Sequence, residues 1–276
     1  MNLILRYTLL TCFLGLGLVQ EGFSQVATSV NPSGLGIRRD AMDTVYSVKR
    51  IREDDKMYQI SVWRRIDLRE KYNVPLYGSG DAKENGLINH IYRGVKQNSL
   101  EVFADENFTQ PMSIAQFDSS FWKTDFQDSI FVKQLYFLDF KEDFVFDRQH
   151  SQFKFDIKFI QLVMPAETNA DPNSGVGFQK TIGFIRYKDF INYFAKHPDA
   201  RWLNFQNISK SLTYSEAFES RLFRSVVTRY TNQEEALIID LVNKNTPADR
   251  RKMQAYLDAL AFEYQLLEFE NSVWEW

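Results

Sequence analysis

Cysteine is almost absent from this sequence: the one it has, Cys12, lies close to the N-terminus. A chain processed after residue 24 would hold none, which excludes disulfides, a thiolate nucleophile and cysteine-based zinc sites. Long apolar runs are also missing. Beyond the first two dozen residues nothing approaches the roughly 18 residues of a membrane-spanning helix, and stretches such as 160–164 are strand-sized. Charge of one sign is lacking as well. With 33 Lys and Arg against 36 Asp and Glu, the net charge of −3 argues against a nucleic-acid partner. Catalytic signatures are missing: there is no GxSxG elbow, no GxxxxGK[ST] phosphate loop and no HExxH. The three histidines, His90, His150 and His197, are far apart, and a zinc ion needs three or four converging ligands. Gly34-Leu35-Gly36 and Gly78-Ser79-Gly80 stand alone and read as loops. No cofactor site is expected.

What is present begins with an export signal. Arg6 supplies a short positive region, residues 8–19 an apolar stretch, and Gly22-Phe23-Ser24 a small-residue cleavage site before Gln25. Lipidation at Cys12 is disfavoured, because the apolar stretch before it is short and Leu10-Thr11 offers no small residue there. Residues 1–24 are therefore expected to be a signal peptide. Residues 25–40, polar and broken by Pro32, Gly34 and Gly36, read as a flexible leader.

Aromatic residues are abundant, with 24 Phe, and serve either a core or a protein–protein interface. Residues 54–72 fit both periods. Tyr58, Val62 and Ile66 recur at helical spacing, Ile60 and Val62 alternate, and helix is the preferred reading, ended by Asn73 and Pro75. Leu87, Ile88, Ile91 and Val95 mark a helix stopped by Asn98, with a strand expected over 100–104. Ser113 and Gln116 form a capping box that opens a short helix to Trp122.

In the middle, Phe144 and Phe146 alternate with polar residues, as do Phe153, Phe155, Ile157 and Phe159. With a turn over 147–151, a loop over 165–177 and a third strand over 181–186, this predicts a three-stranded antiparallel meander. Helices are expected over 189–196, after the Thr213/Glu216 capping box, and over 234–243, with Leu237, Ile238, Leu241 and Val242 on one face. Thr246, Pro247 and Asp249 open a last helix. Its stripe of Met253, Tyr256, Leu257, Leu260, Tyr264 and Leu267 is expected to be buried against the rest of the fold.

The fold class is therefore α+β: an antiparallel meander in the middle packed with helices, and a helical C-terminal part. Residues 41–276 form one domain, with a division near residue 205 left open. The candidate partner-binding residues are Trp63, Arg64, Arg65, Arg69 and Tyr77, since arginine and aromatic side chains dominate binding energy at interfaces. A solvated amphipathic face explains the same residues equally well.

The run from Val62 to Lys71 (VWRRIDLREK), followed by Asn73, Pro75, Leu76 and Tyr77, resembles the signature of the gliding-motility N family (GldN/PorN) of the Bacteroidetes type IX secretion system. Tyr214, Phe218, Glu219, Arg221, Leu222 and Phe223 resemble a second block of that family, and residues 269–276 its ending. Asn271-Ser272 stands where the family ending has His-Asp, which favours packing over a metal or proton role. The resemblance implies a non-enzymatic periplasmic subunit that forms a large ring with an outer-membrane lipoprotein of the GldK/PorK type. It also implies contact with the periplasmic part of a GldM/PorM-type motor protein, self-association within the ring, and no direct membrane insertion. Two other classes stay open: an exported hydrolase with a dispersed carboxylate site, and a periplasmic small-molecule binding protein.

Overall fold

The structure is a computed structural model describing residues 38–39, 46–47, 53–78, 86–126, 131–149, 152–197, 199–203, 212–233, 236–242 and 245–274. The expected signal peptide, all of the leader but Arg38 and Arg39, His150 and Pro198 lie outside these residues.

The strands are β1 (Arg38–Arg39), β2 (Tyr46–Ser47), β3 (Lys56–Asp67), β4 (Phe137–Asp147), β5 (Gln152–Met164), β6 (Lys180–Arg186), β7 (Arg201–Trp202), β8 (Leu212–Thr213) and β9 (Val226–Tyr230). The helices are α1 (Val74–Tyr77), α2 (Leu87–Lys96), α3 (Ile114–Trp122), α4 (Tyr187–Lys196), α5 (Tyr214–Glu219), α6 (Ile238–Leu241) and α7 (Ala248–Trp274). A five-stranded antiparallel sheet, in the order β6-β5-β4-β3-β9, carries the helices, so the fold is α+β with a helical C-terminal segment. The expected meander is β4-β5-β6.

Segment 56–67 is a strand and not the helix favoured above. Spacings of four and eight are multiples of two as well, so Tyr58, Val62 and Ile66 fit either element. The deciding position is 64. A strand puts Tyr58, Ile60, Val62, Arg64 and Ile66 on one face, and Arg64 hides the alternation because it is charged. Its side chain is 11% exposed, held by Glu142.

The alternation in β5 also runs differently. The register with β4 shifts between Lys141 and Glu142, so that Lys158 is the extra residue opposite them. A bulge of this kind reverses which side chains face which way. Phe153, Phe155 and Ile157 stay with the inner face and are followed there by Ile160 and Leu162. Phe159 turns to the other face, edge-on to Phe108 and Phe184. The expected strand over 100–104 is reduced to isolated bridges at Phe103, one to Pro111 and one to Phe184, with which it exchanges backbone hydrogen bonds.

The main apolar cluster fills the space between the inner sheet face and the helices. Ile66, Leu138, Phe140, Ile160, Leu162 and Ile185 come from strands, and Leu87, Ile91, Phe117, Phe121, Phe190, Phe194, Tyr214 and Phe218 from helices. Both capping boxes form, at Ser113 and Thr213. Asn98 ends α2 at φ 56°, with its own N–H and that of Ser99 returning to Val95 and Gly94 carbonyls, a left-handed stop that Asn tolerates.

A smaller cluster lies between β3, β9, α6 and α7: Val62, Val227, Ile238 and Ala259, with Ala255, Phe262 and Tyr230 against them. Helix α6 is one turn, not the longer helix expected. Ile238 and Val242 are buried, while Leu237 and Leu241 face solvent. The expected burial of the α7 stripe is also corrected. Met253, Leu257, Tyr264 and Leu267 are exposed by half or more, and Tyr256 and Leu260 are half-buried. The opposite row, Ala255, Ala259, Phe262 and Leu266, meets the rest of the fold, where alanine lets the helix come close to the strands.

Candidate interaction surface

Strand β3 divides the candidate residues between two faces. On the outer face, Trp63 is registered with Lys141 of β4 on one side and with Arg229 of β9 on the other. The Arg229 guanidinium lies 3.7 Å from the indole centroid and the Lys141 ammonium 4.7 Å from it. The indole is thus clasped by two cations in a row across three strands, an attraction to the ring's negative face that also limits its rotamers.

The next outward residue, Arg65, forks onto Asp139 through two 2.7 Å hydrogen bonds, and its guanidinium lies 4.6 Å from the Phe137 centroid. Arg69 follows in the turn after β3. It pairs with Asp67, stacks 3.5 Å from the centroid of Tyr136, and is about half exposed. The bond to Asp67 raises its pKa further. Burial first, and then the hydrogen bond to Glu167, push the Tyr136 phenol up to about 12, so it stays a donor at every physiological pH. Arg65 and Arg69 are therefore neighbours over the shared ring of Phe137.

Arg64 points the other way. Its guanidinium bridges Glu142, fully buried, and Glu263 on α7. Arg221 closes the network onto the second Glu142 oxygen at 2.7 Å and lies over Phe155. Two arginines and two glutamates from β3, β4, α7 and the turn after α5 thus neutralise one another. Tyr77 is likewise inward-leaning: it packs against the main cluster and donates to the Lys133 carbonyl at 2.7 Å. Asn73, fully buried, donates to the Asp67 and Arg224 carbonyls and accepts from the Arg224 N–H, which ties the turn after β3 to the approach to β9.

Nothing in the sequence pattern points to Lys141, Arg229, Glu142 or Glu263. They sit far along the chain from Trp63 and Arg64, and only strand register and helix docking bring them there. The second family-like block is largely packing: Tyr214 and Phe218 are core, and Phe223 meets Phe140 and Phe218. Within it, burial pushes Glu219 up to about 7, assisted by Glu216. From the C-terminal block, Phe269 packs against Tyr58 and Phe153.

Among the described residues no group of three or more His, Cys, Asp or Glu could hold a metal ion. His90 is buried between Phe194 and Tyr214, and His197 stacks on Tyr193. A surface cleft of about 560 Å³ is lined by Asn98, Glu101, Arg186, Asp189 and Asn192 among others. Both of its carboxylates lie within 4 Å of the same arginine, Arg186, in a partly exposed cluster. No helix among the described residues is long and apolar enough to cross a membrane.

No curated protein matches the chain. The family model described as gliding motility associated protein GldN matches residues 51–275, which takes in the whole five-stranded sheet and every helix among the described residues. This chain belongs to the GldN family of gliding-motility-associated proteins.

Proposed function

We propose that this gliding-motility component is a periplasmic structural subunit of a type IX secretion machinery. In this reading it is exported, builds a large ring with an outer-membrane lipoprotein of the GldK/PorK type, and touches the periplasmic part of a GldM/PorM-type motor protein. The observation that carries the proposal is the extent of the family match, 225 residues from 51 to 275. The signal-like segment 1–24 supports export, and the exposed aromatic side chains Tyr72, Phe131, Phe178 and Tyr264 support contact with other proteins.

The outer face of β3 is the surface proposed for the lipoprotein. Trp63, Arg65 and Arg69 are held there by neighbours in the fold, so little side-chain entropy remains to be lost on binding. Arg64 and Tyr77 support that strand from behind.

The test is capture from detergent-solubilised membranes with mass-spectrometric identification, comparing the native chain with Trp63→Ala and with Arg65→Ala plus Arg69→Ala. The native chain should retain a lipoprotein in a large particle. The variants should stay folded, with a melting temperature lowered by at most a few degrees, and lose the lipoprotein. A native chain that captures no lipoprotein refutes the ring reading. Variants that capture it normally refute this surface.

A further inference from the structure

The exposed apolar row of α7 has a spacing that its packed row does not explain. Met253, Leu257, Leu260, Tyr264 and Leu267 follow one another at four, three, four and three residues, and Asn271 continues the series after four more. This is the repeat by which one helix meets another along a supercoil seam. The helix is 27 residues long, about 40 Å at 1.5 Å per residue, and its opposite row is already engaged by the fold. The seam therefore faces away from the protein's own core, with four of its five apolar residues exposed by half or more.

Charge along α7 is polarised. Arg250, Arg251 and Lys252 lie at its start, and Glu263, Glu268 and Glu270 towards its end. Arg251 is bonded to the Thr246 carbonyl and Glu263 to Arg64. Arg250, Lys252 and Glu268 are exposed and Glu270 is half-buried.

We propose that this face is an isologous surface on which α7 of a second copy of this chain lies antiparallel. The pattern is self-complementary in that orientation alone. Centring the pair on Leu260 sets Met253 against Leu267 of the second copy and brings the basic start of each helix to the acidic end of the other. Arg250 then lies on the same flank as Glu268 of the second copy, and Lys252 on the same flank as its Glu270. A parallel pair would set acid against acid and base against base, which costs stability. The surface deepens the reading of the chain as a self-associating subunit and rests on it for context. It is separate from the outer face of β3, so the two can fail independently.

The test is sedimentation equilibrium of the full purified chain, with no lipoprotein present, up to about 100 μM, a range that detects dissociation constants from the micromolar upward. The native chain should dimerise, and Leu257→Glu with Leu267→Glu should weaken the dimer at least tenfold at unchanged melting temperature. Arg250→Glu with Lys252→Glu should be monomeric, as should Glu268→Lys with Glu270→Lys. An equimolar mixture of these two charge variants should dimerise again. A native chain that stays monomeric overturns the proposal, as does a dimer indifferent to the seam changes. Seam-dependent binding of the monomer to anionic phospholipid vesicles would also overturn it, and would identify a lipid surface as the occupant.

Discussion

Glu142→Gln tests how much of the fold depends on the buried ion network. The substitution keeps the side chain's shape and an acceptor oxygen and removes only the charge. Arg64 and Arg221, 11% and 28% exposed, would then face each other across a neutral amide, with Glu263 alone to offset them. Removing one partner of a fully buried pair costs about 3–5 kcal/mol, and the partial exposure of Arg221 and Glu263 reduces this to about 2–4 kcal/mol. For a chain of this size that lowers the melting temperature by roughly 4–16 °C. Urea denaturation followed by circular dichroism would measure it, with an unchanged m-value confirming that the native state is intact. Arg65→Ala, which breaks the more exposed pair with Asp139, is the comparison and should cost about 1 kcal/mol or less. A loss under about 1 kcal/mol for Glu142→Gln would refute the reasoning, because it would mean that water already screens the network.

The packed and exposed rows of α7 should respond differently: Phe262→Ala, stacked on Tyr230, should cost about 2–4 kcal/mol, and Leu260→Ala about 1 kcal/mol or less in the monomer, read by urea denaturation. Burial pushes the Glu219 carboxyl up to about 7, above the ordinary 4.5, so the neutral form is favoured in the fold. Its contribution is harmless below 4.5 and increasingly unfavourable as pH rises through 7. Glu219→Gln should therefore stabilise the protein at pH 8 by about 1–2 kcal/mol after allowance for partial exposure, and do little at pH 4, as thermal melts at the two pH values would show. Gly177→Ala should destabilise by about 1–3 kcal/mol, since a Cβ there would come within 1.9 Å of the Ala166 carbonyl oxygen, a backbone atom that cannot swing aside.

The legible parts of the sequence were those where one residue class occupied one face. The phenylalanines of β4 and β5 and the capping boxes at Ser113 and Thr213 located their elements because their signals are local. Strand β3 was obscured by Arg64, since a charged residue on an inward face looks like a break in the pattern until its partner Glu142 is known. Phe159 was assigned to the wrong face because a bulge changes phase without changing composition. In α7 both rows are apolar, and periodicity ranks the bulkier one first. The fold instead takes the row with Ala255 and Ala259, which permits close approach. At the site, the residue types around Trp63 were visible. Its clasp was not, because Lys141 and Arg229 arrive by strand register.

The sheet order also carries a chronology. Strands β3, β4, β5 and β6 are consecutive in the chain and adjacent in space, so their pairing needs nothing from the last fifty residues. Strand β9 comes from near the end and adds to the outer side of β3, and α7 then reaches Arg64 through Glu263. Pairings of large sequence separation pay the greater loop-closure cost and form late. A chain opening from its native state should reverse that sequence. In native-state hydrogen exchange, the amides of α7 and β9 should lose protection first, while those shared by β4 and β5 persist until global unfolding.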